Sequence, residues 1–114
     1  MEDLEGIYQR AGVEVPATEE LLKAYEDKKQ VRQVLNELVK KGILVKAGPA
    51  AFLHKTHWDR ALNLLKEYLS THPDITLGEF RDLLGTSRKY AVMLLEVYDQ
   101  MKITKKKDDA RVLS

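Results

Sequence analysis

Ten residues toward the carboxyl end offer a specific chemistry: Arg81, the run Thr86-Ser87-Arg88-Lys89-Tyr90, the run Lys105-Lys106-Lys107, and Arg111. Guanidinium and ammonium groups attract phosphate, a helix start donates backbone N–H groups to it, and a tyrosine ring can stack on a base. Seven basic and four acidic residues lie between positions 86 and 111, whereas the whole chain holds 19 and 18. Overall charge is therefore uninformative about partners, and the local excess is where a nucleic-acid footprint would sit. Val92 and Met93, on a helix face expected to be exposed, would pack against a splayed base or a sugar, or against another protein domain. Lysines at a hairpin edge also guard against edge-to-edge pairing, so composition alone does not decide between a ligand site and a solvated surface.

Other chemistries lack their residues. The 114 residues contain no GxxxxGK[ST] phosphate loop, GxGxxG, HExxH or GxSxG. An enzyme is not expected. His54, His57 and His72 lack a convincing third ligand or carboxylate, so no metal site is expected either. The absence of cysteine excludes thiolate chemistry and suits a reducing cytoplasm. No apolar run approaches membrane-spanning length, and the acidic start Met1-Glu2-Asp3-Leu4-Glu5 is unlike an export signal. No dimerisation heptad is present, so a monomer without membrane contact is expected.

The elements that must position the cations form a repeat. Glu20-Leu21 and Ala24-Tyr25 match Glu79-Phe80 and Leu83-Leu84 at an offset of 59. Val31, Val34, Leu35, Leu38 and Ile43 match Ala91, Leu94, Leu95, Tyr98 and Ile103 at an offset of 60. Shared apolar periodicity of this kind marks a repeated supersecondary unit. In the first copy, Leu4, Ile7, Tyr8 and Ala11 lie on one helical face that Gly12 ends. Thr18 is expected to cap a second helix, and Asp27 a third that closes at Lys40-Lys41-Gly42. Ile43-Leu44-Val45, a turn at Gly48-Pro49, and Ala51-Phe52-Leu53 then read as a β-hairpin.

In the second copy a long helix runs from about His57 to Thr71, stopped by Pro73. Ile75-Thr76-Leu77 is extended, 78–84 helical, Gly85 a break, and Thr86 or Ser87 caps a helix to about Lys102. Ile103 to Lys106 and Ala110 to Leu113 form a second hairpin. Three helices followed by a hairpin is the winged helix. The expectation is thus a mainly α chain with small β-wings, two tandem winged-helix (helix-turn-helix) domains over 1–55 and 56–114. The first, with its mostly apolar wing, reads as a structural spacer with Lys28, Lys29 and Arg32 as weak extra contacts.

The stretch Ile75-Thr76-Leu77-Gly78-Glu79-Phe80-Arg81-Asp82-Leu83-Leu84-Gly85-Thr86-Ser87-Arg88-Lys89-Tyr90-Ala91 resembles the last domain of bacterial selenocysteine-specific elongation factors (SelB). So does the ending from Ile103 to Leu113, and the first copy is similar in layout to the preceding winged helix of that family. The resemblance implies the C-terminal, RNA-binding arm of a translation elongation factor. That arm binds the SECIS stem-loop of a messenger RNA and supports recoding of UGA as selenocysteine. It also implies that GTP and selenocysteinyl-tRNA are handled by upstream domains, with no cofactor in this fragment, and that the ribosome is met through the full-length factor. Arg81, Arg88, Lys89 and Arg111 match basic positions of the family pattern. Lys105 and Lys106 stand in place of an arginine pair, Asp108 in place of glycine and Met93 in place of proline. Lysine keeps the attraction to phosphate but lacks the bidentate fork. Charge removal at Arg88 and Lys105 is expected to weaken stem-loop binding. The residues by themselves also allow a DNA-binding winged-helix transcription regulator, or a protein-interaction module.

Overall fold

The computed structural model describes residues 4–48 and 51–114. Pro49, within the expected first turn, lies outside the described residues. Backbone contacts divide the chain into two units, Met1–Trp58 and Asp59–Ser114.

The first unit contains α1 (Leu4–Ala11), α2 (Thr18–Leu22), α3 (Lys28–Lys40), β1 (Leu44–Lys46) and β2 (Phe52–His54). β1 and β2 pair antiparallel with Val45 opposite Leu53. Asp27 caps α3 as expected, its carboxylate accepting from the Gln30 N–H at 3.0 Å. Thr18 does not cap α2. It is the first helical residue, only 7% exposed, and Ala17 occupies the cap position without a side-chain hydrogen bond. The strands begin one residue later than the apolar runs indicated, and His54, the last residue of β2, contacts Glu5 at 3.2 Å.

The second unit is built from α4 (Lys55–Thr71), whose first turn precedes the division, then β3 (Ile75–Thr76), α5 (Leu77–Leu84), α6 (Arg88–Gln100), β4 (Thr104–Lys107) and β5 (Ala110–Leu113). Ala91, Leu94, Leu95 and Tyr98 on α6 are all buried, the expected i, i+3, i+4, i+7 stripe. Phe80 of α5 meets Tyr98 edge-on at 6.2 Å. The sheet has three strands in the order β3-β5-β4 where two were expected. Ile75, fully buried, pairs with Arg111. Two residues of extended backbone are too short to read as a strand from sequence.

The helix C-termini preceding the wings share a geometry. Ile43 N–H reaches Leu38 C=O and Ile103 N–H reaches Tyr98 C=O, each at 2.9 Å. This closure needs a left-handed residue, supplied by Gly42 at φ 77° in the first unit but by Lys102 at φ 62° in the second. Lys102→Gly is therefore expected to stabilise the second unit by about 0.5–1 kcal/mol in chemical denaturation.

Tyr8 is fully buried against Phe52, and its hydroxyl has no hydrogen-bond partner among the described residues. Burial, reinforced by Tyr25, pushes its phenol up to about 12. The folded state thus keeps a proton that the unfolded chain releases near pH 10. The associated stability is complete below that pH and falls as pH rises toward 12. Tyr8→Phe is expected to leave neutral-pH stability unchanged or raised, and to flatten the loss measured between pH 9.5 and 11.5, an interval of about two units around the free tyrosine value.

Candidate nucleic-acid interface

The helix-turn-helix of the second unit is set by two turns. Glycine at 85, with φ 69°, lets α5 end and directs the chain into α6, its N–H bonded to Arg81 C=O at 2.9 Å. At the start of α5, Thr76 and Glu79 form a capping box: the Thr76 N–H donates to the Glu79 carboxylate at 2.8 Å, and the Glu79 N–H donates to the Thr76 hydroxyl at 3.2 Å. The first of these bonds, then one from the Tyr68 hydroxyl, holds the Glu79 carboxyl below the usual range. The sequence pattern Thr-x-x-Glu signals such a box, but the expected extended stretch ran across it.

The α6 start differs. Ser87 has the extended backbone of a cap residue, yet its side chain makes no cap hydrogen bond, contrary to the expected capping role. The first N–H groups of a 13-residue helix are thus not occupied by that hydroxyl. Arg88 and Lys89 on the first turn are exposed, and the Lys89 ammonium lies 5.4 Å from the centre of the half-buried Tyr90 ring.

Arg88, Lys106 and Arg111 line one open depression of about 360 Å³, together with Thr76, Leu77, Gly78 and Asp109. Leu77 and Arg88, the first residues of α5 and α6, both line it, so two helix starts lie at its wall, the α5 start already carrying the Glu79 carboxylate of its capping box. Asp109 opposes the cations. Arg81 folds back toward the same wall: its Nη2 passes 3.9 Å from where a Cβ on Gly78 would stand. It also contacts Asp82 at 3.1 Å.

The wing lysines are not one cluster. In the antiparallel ladder Lys106 faces Arg111, whereas Lys105 faces Val112 and Lys107 faces Ala110. Side chains alternate along a strand, so Lys106 shares a face with Arg111, while Lys105 and Lys107 project from the other. All three lysines are exposed. Arg111 is already engaged by Asp99, at 3.1 Å from Nε and 3.0 Å from Nη2, and its side chain is only 14% exposed. The wing turn is a two-residue connection, Asp108-Asp109, with Asp108 at φ 55°. Glycine fits that conformation more easily, and aspartate is among the residues that tolerate it. Thr86 is half-buried. Val92 and Met93 are half-buried rather than exposed.

In the first unit the corresponding depression, about 210 Å³, is lined by residues including Thr18, Glu19, Arg32, Lys46 and Phe52. Arg32 is bound to Glu19 at 2.8 Å. Lys28 and Lys29 are exposed on the first turn of α3. Among the described residues no group of histidine and carboxylate side chains could hold a metal ion. His54 and His57 are instead occupied by Glu5 and by the Gln9 carbonyl.

Helix-turn-helix with a paired wing defines the second unit as a winged-helix domain. Residues 67–113 match the family described as elongation factor SelB, winged helix. Across 109 residues, 95% of its length, the chain is 29% identical to the selenocysteine-specific elongation factor of Desulfomicrobium baculatum, of which it spans 17%. Its fold is similar to that of the mRNA-binding domain of elongation factor SelB from E. coli, solved in complex with SECIS RNA. The TM-score is 0.73 at 20% identity, with 99% of this chain and 98% of that one covered. A bacterial selenocysteine-specific elongation factor, EF-Sec, matches at TM-score 0.63 and 17% identity, over 99% of this chain and 20% of that one.

Proposed function

We propose that the chain binds an mRNA stem-loop of the SECIS type, as the C-terminal arm of a selenocysteine-specific elongation factor, and so supports recoding of UGA. The observation that carries this reading is the meeting of Arg88, Lys106 and two helix starts on one depression of a SelB-type winged helix. A-form RNA hides its major groove, so shape, backbone and unpaired loop bases are what remain to be recognised. The α6 start and Arg88 take one phosphate strand, Lys106 an adjacent one, and Arg81 lies at the rim. Lys105 and Lys107 reach the backbone from the outer face of the wing. Thr86 and Ser87 contribute polar contacts at the turn, and Tyr90 with Lys89 offers a ring and a cation to a loop base.

In this reading the first unit is a spacer that positions the second, with exposed Lys28 and Lys29 as weak extra contacts and Arg32 already held by Glu19. The chain is a non-catalytic cytoplasmic monomer. GTP hydrolysis, tRNA delivery and the link to the ribosome belong to the rest of a full-length factor. Competition between a bacterial selenoprotein mRNA stem-loop and duplex DNA of equal length tests the class of ligand. The stem-loop is expected to displace the duplex. Preference for the duplex would point to a DNA-binding regulator, and salt-insensitive indifference to both would point to a protein-interaction module.

A further inference from the structure

We infer that Asp99 is a positioning residue for RNA recognition, holding the wing in register with the α6 start, and that Arg111 serves the wing rather than the RNA. The inference rests on the RNA-binding reading above. Asp99 lies in the last turn of α6. One carboxylate oxygen accepts from the Thr104 hydroxyl at 2.7 Å, and the other accepts from Arg111 Nε at 3.1 Å. Thr104 is the root of β4, and Arg111 lies on the central strand opposite both Lys106 and Ile75. A single carboxylate thus ties both wing strands to one end of the helix that carries Arg88 at the other. Side-chain exposures of 27% for Asp99 and 14% for Arg111 leave little room for Arg111 to turn toward a phosphate.

Electrostatics and positioning predict opposite signs. An acid beside a phosphate site repels the ligand, so its removal alone strengthens binding. If it orients the wing, its removal leaves Arg111 half-buried without its counter-ion, loosens both strands and weakens binding.

The test titrates the full chain and its variants with the stem-loop at two salt concentrations, with thermal unfolding confirming that each variant is folded. Asp99→Asn is expected to weaken binding about tenfold and to reduce the salt slope by about one, as Lys106 loses its phosphate. Arg111→Gln is expected to do the same, and the double variant to add little to either single change. Unchanged or tighter binding by folded Asp99→Asn overturns the inference. So does an Arg111→Gln loss of equal size in both backgrounds, the signature of direct contact. A folded variant with weaker binding but an unaltered salt slope also overturns it, reducing Asp99 to a scaffold residue. Thr104→Val, nearly isosteric, removes only the hydroxyl link. It is expected to weaken binding severalfold, and an unchanged affinity overturns the inference even where Asp99→Asn fails to fold. If the parent chain shows no salt-dependent stem-loop binding, the functional reading itself fails.

Discussion

Replacing Arg88 and Lys106 together by alanine is expected to weaken stem-loop binding on the order of a hundredfold and to lower the slope of log affinity against log salt by about two. Both residues line the same depression, and neither is placed in the core, so the loss should come from contact and not from unfolding. Each phosphate neutralised releases counterions, which is why the slope, and not only the affinity, reports the contacts. Lys105→Ala, on the opposite face of β4, is expected to have a smaller effect than Lys106→Ala. Fluorescence anisotropy at two salt concentrations measures all of these. If the double variant matched the parent in both affinity and slope, the depression would not be the RNA site.

The second large effect concerns stability. Phe80 is fully buried and meets Tyr98 edge-on, at the contact where α5 crosses α6. Phe80→Ala is expected to cost about 3–5 kcal/mol through lost burial and the cavity left behind. That is comparable to the whole stability of a unit of this size, on the order of 0.05–0.15 kcal/mol per residue. Urea denaturation followed by circular dichroism should show the second unit largely unfolded at low denaturant, with stem-loop binding lost alongside. A cost below about 1 kcal/mol would mean that the α5–α6 contact is not the centre of the core.

These expectations combine what the sequence displays with what only the fold supplies. The α3 and α6 stripes were legible because burial repeats at helical spacing. Asp27, Gly42 and Gly85 were legible because caps and left-handed turns select their residues. The second strand pair was legible from β-formers around a polar turn. Less visible were features that depend on a partner distant in sequence. Ile75-Thr76 is a strand only because β5 lies beside it, and Thr18 is buried only because the first unit closes over it. Lys102 holds a glycine's conformation with a side chain that gives no hint of it. At the site, the ten expected residues include Arg88 and Lys106, which meet at one depression, and Arg111, which lines it but is taken by Asp99. Nothing local in the sequence connects Asp99 with Arg111. The division of the three wing lysines between two faces required the strand register, which fixes Lys106 opposite Arg111.

The central claim is tested most directly by titrating the chain with a bacterial selenoprotein stem-loop and with the same stem carrying a scrambled loop, each at about 50 and 200 mM salt. The account predicts tighter binding to the intact loop at both salts, with affinity for both RNAs falling steeply as salt rises. Equal affinity for the two RNAs, or an affinity indifferent to salt, would contradict it.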